Sequence, residues 1–309
     1  MGFLFDFLSS TFGYILWFFF DAVSNYALAI TLFALVINVL MFPIAIKRQQ
    51  TTARNARLAI KQQELKKRYE KNPKKYNEEI ARLYEKEGVN PMSGCFATLV
   101  LPLILWSGIY GAVTKPLQNT LHISPDKVAS AVAVLPQTEE LSGKITKGYE
   151  QLQLVRHFPA VKDKLTMLNS EELADIEEYS SGFNFMGLNL LGTPKGTDFS
   201  QMLWIIPVLC FASSALTMYI GQRMMGTQNQ MQGCAKFTPY FMLLFTAYIA
   251  YTIPAAVGLY WIINSLFGAV QSIVLNKFYN IYTMNAHDEA ARFALLKVQE
   301  SSVKNLKDE

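Results

Sequence analysis

Charged residues are scarce in this sequence of 309 residues, since Asp, Glu, Lys and Arg make up 17% of it, against roughly 25% in soluble domains. Four long runs contain no charged side chain at all. A soluble fold would have to bury all four runs in one small core, which argues against an ordinary soluble domain. The charge-free runs are residues 22–46, 96–114, 199–222 and 237–276.

Cysteine and histidine are also rare, with three of each. Cys95, Cys210 and Cys234 fit no zinc-binding spacing. We expect no disulfide between them, because they lie in apolar runs or at the predicted cytoplasmic ends of those runs, where thiols stay reduced. No phosphate-binding glycine-rich loop, GxSxG or HExxH motif is present. The sequence therefore predicts no metal, no cofactor and no catalytic residues.

Each charge-free run approaches or exceeds the ~20 apolar residues that a helix needs to cross a bilayer. The last run is too long for one span. Pro254 in its middle lacks a backbone donor and restricts Ile253, which predicts a tight reversal there. We therefore predict an all-α membrane protein with five transmembrane helices. The predicted spans are residues 26–46, 96–114, 202–221, 237–252 and 257–276.

Lys and Arg are concentrated after the first span, and the first 46 residues contain none. Cytoplasmic loops carry the excess of positive charge, so we predict a multi-pass protein of the bacterial plasma membrane with its N-terminus outside and its C-terminus in the cytoplasm. Five spans place the two ends on opposite sides, in agreement with the charges. The remaining segments are an outer interfacial helix (1–25), a cytoplasmic helical hairpin (47–93), a small, mainly helical extracytoplasmic segment (115–200), a cytoplasmic loop (222–236) and a cytoplasmic tail (277–309).

Three of these segments allow alternatives or finer predictions. Residues 2–20 could instead form a sixth span, but that would disagree with the charge distribution. Asn72-Pro73 predicts the turn of the cytoplasmic hairpin, which is either a solvated connector or a docking arm. In the extracytoplasmic segment, helix starts are predicted at Ser124 and within 169–179, a helix over 138–157, and a loop over 182–196.

Polar side chains inside the predicted spans fall in lines. Tyr260, Asn264 and Gln271 are spaced by four and seven residues, which places them on one stripe of a helix. Thr31 and Asn38 are seven residues apart and share a stripe of the first span. Polar groups are costly in lipid, so such stripes are expected to face each other or a wet cavity. Similar pairs are Ser107 with Tyr110 in the second span and Ser213 with Thr217 in the third.

Two interpretations of these stripes remain open. They could be interhelical hydrogen bonds that hold a bundle together, at roughly 0.6 kcal/mol each. Alternatively, they could line a groove that is open to the cytoplasm and to lipid and that lowers the cost of moving polar groups through the membrane. The candidate groove residues are Thr31, Asn38, Ser107, Tyr110, Ser213, Thr217, Tyr260, Asn264 and Gln271.

Three stretches together resemble the YidC/Oxa/Alb family of membrane protein insertases, with the Gram-positive-type layout of bacterial YidC. "NYALAITLFALVINVLMFPIAIKRQQ" (25–50) is similar to the first core span of that family. "KKRYEKNPKKYNEEIARLYEKEGVNPMSGC" (66–95) is similar to its cytoplasmic hairpin, and "PAAVGLYWIINSLFGAVQ" (254–271) to its last span. One departure concerns the groove: many bacterial relatives carry Arg five residues before the first-span proline, where this chain has Asn38.

The resemblance implies an insertase and chaperone, not an enzyme, that inserts and helps fold newly made integral membrane proteins, alone or with the Sec translocon. Its implied partners are nascent membrane proteins, the Sec translocon, ribosomes and membrane lipids, with no specific nucleic acid sequence. The alternative is a small-solute transporter or channel that uses the same polar stripes. Against it, the hydropathy shows no inverted repeat and no pair of broken helices.

Overall fold

The computed structural model describes residues 2–86, 101–137, 147–197, 202–225 and 237–279, and part of 283–300. The described chain is predominantly helical, which confirms the predicted helical class. It forms two compact units. The first contains Met1–Leu40, Phe96–Thr217 and Phe237–Gly268, and the second contains Met41–Cys95, Met218–Lys236 and Ala269–Glu309.

The helices follow one another along the chain, with a two-stranded sheet in the predicted extracytoplasmic segment. They are α1 (Gly2–Val23), α2 (Tyr26–Leu40), α3 (Phe42–Arg68), α4 (Pro73–Lys86), α5 (Leu101–Thr114), α6 (Pro116–Asn119), α7 (Pro125–Val132), α8 (Glu150–Arg156), α9 (Phe158–Val161), α10 (Ser170–Ser181), α11 (Ile205–Met225), α12 (Thr238–Thr252) and α13 (Ala255–Phe278). The strands are β1 (Asn184–Phe185) and β2 (Leu188–Asn189), which pair in antiparallel fashion.

Two described helices are long and apolar enough to cross a membrane, Ile205–Met224 and Ala255–Phe278. A third candidate arises if the bent pair Tyr26–Leu40 and Phe42–Thr51 is counted as one span, and Ile104–Thr114 is a shorter apolar helix. These helices agree with a multi-pass membrane protein. The five-span count and its orientation stay predictions.

The first predicted span, 26–46, is not one straight helix. α2 ends at Leu40, and α3 begins at Phe42 with Pro43 in its first turn. A proline has no N–H to donate to the carbonyl four residues earlier, and its ring clashes with that carbonyl. The break at Met41 therefore follows from Pro43. As a result, the first helix of the hairpin begins within the segment predicted as a span.

α1 packs closely against α5 through glycines. A methyl group at Gly111 of α5 would overlap the Ser9 hydroxyl of α1, and one at Gly108 would lie 3.0 Å from the Phe12 ring. At Gly13 of α1, an added methyl group would overlap the backbone carbonyl oxygen of Asn119. Small residues let helix backbones approach each other, as is usual between membrane helices. α1 is thus a packed element of the first unit.

An aromatic cluster joins the predicted extracytoplasmic segment to the start of α2. The rings of Tyr26 and Phe183 stack with centroids 4.1 Å apart, and Tyr179 meets Phe20 edge-to-face at 4.9 Å. All four side chains are almost completely buried. Their burial and ring contacts give this junction a core of its own.

The start of α10 is fixed by a capping box, as the sequence predicted. The Asn169 side chain accepts the Glu172 N–H at 2.7 Å, and the Glu172 carboxylate accepts the Asn169 N–H at 2.9 Å. This reciprocal pair satisfies two N–H groups that a helix start otherwise leaves free. The same carboxylate accepts hydrogen bonds from Lys127 of α7 at 2.8 and 2.9 Å. Glu172 therefore connects two helices.

The Glu172 carboxylate should make stability depend on pH. Partial burial raises its pKa, but the hydrogen bonds from Lys127 and the Asn169 N–H outweigh burial and leave the pKa below the ordinary value of 4.5. A lowered folded-state pKa contributes stability above the ordinary value, and this is lost as pH falls through the folded-state pKa. The thermal midpoint of the unaltered protein should therefore fall more on acidification than that of Glu172→Gln. Parallel falls for both proteins would contradict this role.

Three other predictions for residues 115–200 had different outcomes. Ser124 precedes α7, but its side chain makes no capping hydrogen bond, so the predicted cap is wrong in that detail. The predicted loop over 182–196 contains the β1–β2 hairpin. Met186 and Gly187 both have positive φ, 51° and 81°, which is typical of a type I′ turn. Of the helix predicted over 138–157, residues 138–146 lie outside the described residues.

The second unit contains the helical hairpin. α3 ends at Arg68 and α4 begins at Pro73, with the Asn72 side chain accepting the Lys75 N–H at 3.2 Å. The Gln62 amide donates to the Tyr84 hydroxyl at 2.6 Å and joins the two helices. The hairpin's predicted end at 87–93, most of the predicted loop 222–236 and part of the predicted tail lie outside the described residues.

Candidate functional site

The polar stripes of the first and last spans meet at one pair of side chains. The Asn38 amide of α2 donates to the Asn264 side-chain oxygen of α13 at 3.2 Å, and also to the Ala34 carbonyl at 2.8 Å. The two residues are 226 positions apart, so the fold brings them together. Asn264 is exposed and Asn38 is half-buried on the protein surface. An uncharged amide pair therefore lies at the surface of two apolar helices.

A second polar contact joins α11 to α13. The Thr217 hydroxyl is 2.7 Å from the Ser265 carbonyl oxygen and 2.9 Å from the Ser213 carbonyl oxygen. The hydroxyls of Ser214 and Ser265 are 3.5 Å apart. Ser213 is buried and its hydroxyl donates to the Cys210 carbonyl of its own helix. Thr217 thus forms a hydrogen bond to α13, whereas Ser213 bonds within its own helix and contributes to packing.

Close approach of α11 and α13 depends on Gly258. A methyl group there would lie 2.5 Å from Cγ2 of Ile206. The buried Cys210 thiol donates to the Gly258 carbonyl at 3.3 Å. Small residues at such a crossing allow the side-chain hydrogen bonds of Thr217 and Ser214 to form. These contacts are consistent with the first interpretation of the stripes, interhelical bonding.

The remaining predicted groove residues lie in varied environments. Thr31 and Ser107 donate to carbonyls of their own helices, at 2.6 and 2.7 Å. Tyr260 is buried. Gln271 is half-buried and belongs to the second unit. Among the nine candidates, Asn38 and Asn264 are joined side chain to side chain, whereas Thr217 bonds to the Ser213 backbone within α11.

Tyr110 of α5 faces the predicted extracytoplasmic segment. Its hydroxyl donates to the Tyr149 hydroxyl at 2.8 Å. Burial raises the pKa of Tyr149 well above its usual value, and the hydrogen bond to Tyr110 and electrostatic repulsion from Tyr110 raise it further. Tyr149 therefore stays protonated and neutral, and the pair acts as a structural contact between α5 and the segment that precedes α8.

Sequence reasoning missed the serines of the α11–α13 contact. Ser214 follows the predicted groove residue Ser213, and Ser265 follows Asn264. Serine is common at helix contacts, so nothing in the sequence singles out these two residues. Within the described residues, no group of three His, Cys, Asp or Glu side chains is arranged to hold a metal ion. The site is therefore composed of amides and hydroxyls.

Comparison with known proteins places these features in a family. The family described as 60Kd inner membrane protein matches residues 18–282 of the chain. The membrane protein insertase YidC of Caldanaerobacter subterraneus is 26% identical over 265 residues, which cover 85% of this chain and 90% of that protein.

Two further relatives are longer than this chain. The membrane protein insertase YidC of Campylobacter jejuni is 24% identical over 257 residues, which cover 83% of this chain but 35% of that protein. The chloroplastic inner membrane ALBINO3-like protein 2 of Chlamydomonas reinhardtii is 24% identical over 259 residues, or 81% of this chain and 50% of that protein. The family match covers most of the chain, from α1 to beyond α13, and therefore shows that the chain belongs to the YidC/Oxa/Alb family.

Proposed function

We propose that this chain is a membrane protein insertase that moves newly made, small integral membrane proteins from the cytoplasm into lipid. The observation that carries the proposal is the Asn38–Asn264 pair on the surface of two apolar helices. Two bacterial relatives that match more than four-fifths of the chain are named as insertases. Insertion by this route consumes no nucleotide and uses no catalytic residue.

The amide pair would act by exchanging partners. A client's polar tail loses its hydrogen bonds to water when it enters hydrocarbon, and an unpaired amide there costs roughly 2–7 kcal/mol. Asn38 and Asn264 each offer a donor and an acceptor. When the pair opens, these groups can bind the tail while water enters behind it. The dry part of the path becomes shorter, which lowers the barrier to crossing.

The client's apolar segment would leave the groove into lipid. α12 belongs to the same unit and exposes large aromatic side chains, including Phe241, Phe245 and Tyr248. Its 15 residues extend over about 22 Å, less than the ~30 Å hydrocarbon thickness. A short span favours local thinning of the bilayer, which would further reduce the distance that a polar tail must cross.

The wider arrangement follows the charge distribution. In this proposal the chain has five spans with its N-terminus outside and its C-terminus in the cytoplasm. The groove opens to the cytoplasm and to lipid, with Asn38 and Asn264 in its wall. The basic α3–α4 hairpin and the C-terminal tail receive nascent clients near ribosomes, and anionic lipid headgroups attract their Lys and Arg side chains. The protein acts alone or together with the Sec translocon.

Purified protein in lipid vesicles provides the direct test. A radiolabelled client with one or two spans, synthesised in a cell-free system, should become protected from external protease in vesicles that contain the protein. Protein-free vesicles of the same composition give the background. Depletion of the protein in cells should leave the same clients outside the membrane. Insertion that is equal with and without the protein in both assays would refute the proposal.

A further inference from the structure

The predicted extracytoplasmic segment contains a small β-hairpin, residues 184–189, which we call the finger. Asn184 pairs with Asn189, and Phe185 pairs with Leu188. Residues that are directly paired point to the same face of a two-stranded ribbon, and successive residues point to opposite faces. The finger therefore has one face with two amides and an opposite face with two large apolar side chains.

The tip of the finger is formed by a methionine that is poorly suited to water. The Met186 side chain is 88% exposed on the protein, and its φ of 51° lies in the left-handed region. Turns that lie in water usually place Asn, Asp or Gly at such a position. Phe185 and Leu188 beside it are half-buried and leave further apolar surface uncovered. An apolar environment around the tip would account for this choice of residues.

The chain around the finger is also uncharged. Between Glu178 and Lys195 there is no Asp, Glu, Lys or Arg, and this is the longest uncharged stretch of residues 115–200. A surface that contacts lipid avoids charged side chains, because removing them from water is costly. The finger is therefore better suited to a lipid surface than to an acidic or basic partner.

Backbone hydrogen bonds place the base of the finger at the starts of two apolar helices. The Gly182 carbonyl accepts from the N–H of Tyr26, the first residue of α2, at 3.0 Å. The Leu190 carbonyl accepts from the N–H of Ala256, in the first turn of α13, at 2.8 Å. Both helices are candidate membrane spans, alone or as part of a bent pair. The base of the finger therefore lies where these helices meet the membrane surface.

Aromatic side chains mark the same level on two other helices. A methyl group at Gly192 would lie 2.6 Å from the Leu203 side chain, and the next residue, Trp204, is exposed just before α11. The Lys195 N–H donates at 3.0 Å to the carbonyl of Tyr251, an exposed residue near the end of α12. Trp and Tyr are enriched where membrane helices meet water. The chain that follows the finger thus runs along this interface.

The finger is too short to leave the interface. It contains two residue pairs, which extend over about 7 Å at ~3.4 Å per residue. The headgroup layer on each side of a bilayer is roughly 5–8 Å thick, half the difference between the whole bilayer and its hydrocarbon core. The tip therefore remains in or beside the headgroup layer, whichever way the finger points.

We propose that the finger inserts its tip into the membrane surface, with Phe185, Met186 and Leu188 against lipid chains and with Asn184 and Asn189 toward headgroups and water. Its partner is the lipid itself. The inference goes beyond the proposed function, because it requires membrane helices but neither a client nor a groove. Contact with lipid would fix the depth at which the predicted extracytoplasmic segment rests on the bilayer.

The test compares the tip with a position that lies in water. Met186→Cys is the test variant, and Asp126→Cys is the control, because an exposed aspartate on the same segment requires water. Both are made in a chain whose Cys95, Cys210 and Cys234 are replaced by alanine. Each purified variant is placed in nanodiscs of phospholipid, where lipid alone can cover the tip, and a membrane-impermeant maleimide is added.

Met186→Cys should react several-fold more slowly than Asp126→Cys in nanodiscs, although Met186 is almost fully exposed on the protein. After unfolding in denaturant the two variants should react alike. Lipids that carry a nitroxide near the headgroup should quench a fluorescent label on Met186→Cys more than one on Asp126→Cys. Equal reaction rates would overturn the proposal. Slow reaction of Met186→Cys without quenching would also overturn it, because the tip would then be covered by protein.

A second pair of variants tests which face of the finger meets lipid. Asn184→Cys and Phe185→Cys change adjacent residues that point to opposite faces. With the same nitroxide lipids, a label on Phe185→Cys should be quenched more than a label on Asn184→Cys. Equal or reversed quenching would contradict the proposed orientation of the finger.

Discussion

Asn38→Leu should reduce the insertion of clients with polar or acidic tails about tenfold, because leaving a polar group without its partner costs roughly 1–3 kcal/mol and 1.4 kcal/mol corresponds to a factor of ten in rate. The variant removes the donor to Asn264 and a binding group for the tail. Clients with short, apolar tails should be affected much less. The measurement is protease protection of matched clients in vesicles containing either protein.

Two variants of α2 test whether the effect is specific. Val39→Leu changes the next residue, which is exposed and apolar, and should leave insertion unchanged. Asn38→Arg should also retain insertion, because many family members carry Arg at this position and its guanidinium can donate to the Asn264 oxygen. If Asn38→Leu inserts all clients as well as the unaltered protein, the amide pair serves only to hold the helices together.

Gly13→Ala should lower the stability of the protein by about 1–3 kcal/mol, the usual cost of overfilling a packed site. The added methyl group would overlap the Asn119 carbonyl oxygen. That residue cannot move freely, because its side chain donates to the Gly111 carbonyl at 2.9 Å. Thermal unfolding of the detergent-solubilised protein, followed by circular dichroism, should show a lower midpoint.

Gly221→Ala is the matched control for this change. Gly221 is also a helical glycine, but nothing lies within 4 Å of a methyl group added there. Alanine is favoured over glycine inside helices by about 1 kcal/mol, so this variant should be as stable as the unaltered protein or more stable. If both variants lower the midpoint equally, the close packing of α1 does not contribute to stability.

Local sequence signals predicted much of the helical architecture. The apolar runs indicated the membrane helices, Asn72-Pro73 indicated the hairpin turn, and the asparagine and acids at 169–172 indicated the start of α10. These features depend on residues close together in the chain. The break at Met41 also has a local cause, Pro43, but the length of an apolar run does not by itself reveal a break within it.

Contacts between distant segments were predicted less well. Helical spacing placed Asn38 and Asn264 on polar stripes, and the preference of polar groups for one another suggested that the stripes would face each other. Spacing gave no means to predict that Tyr110 bonds to Tyr149, or that α1 packs on glycines of α5. Such contacts depend on how distant parts of the chain pack together, which helical periodicity does not describe.

The chemistry of the amide pair has a consequence for the conditions under which the protein works. Neither Asn38 nor Asn264 gains or loses a proton, and neither attracts counterions, so in the proposed function their affinity for a client's tail changes little with acidity or salt. Selection between acidic and basic tails is then left to forces outside the pair, notably the membrane potential, which is worth ~2.3 kcal/mol per charge for each 100 mV. An organism could therefore change which tails cross by altering its energised state, without altering this protein.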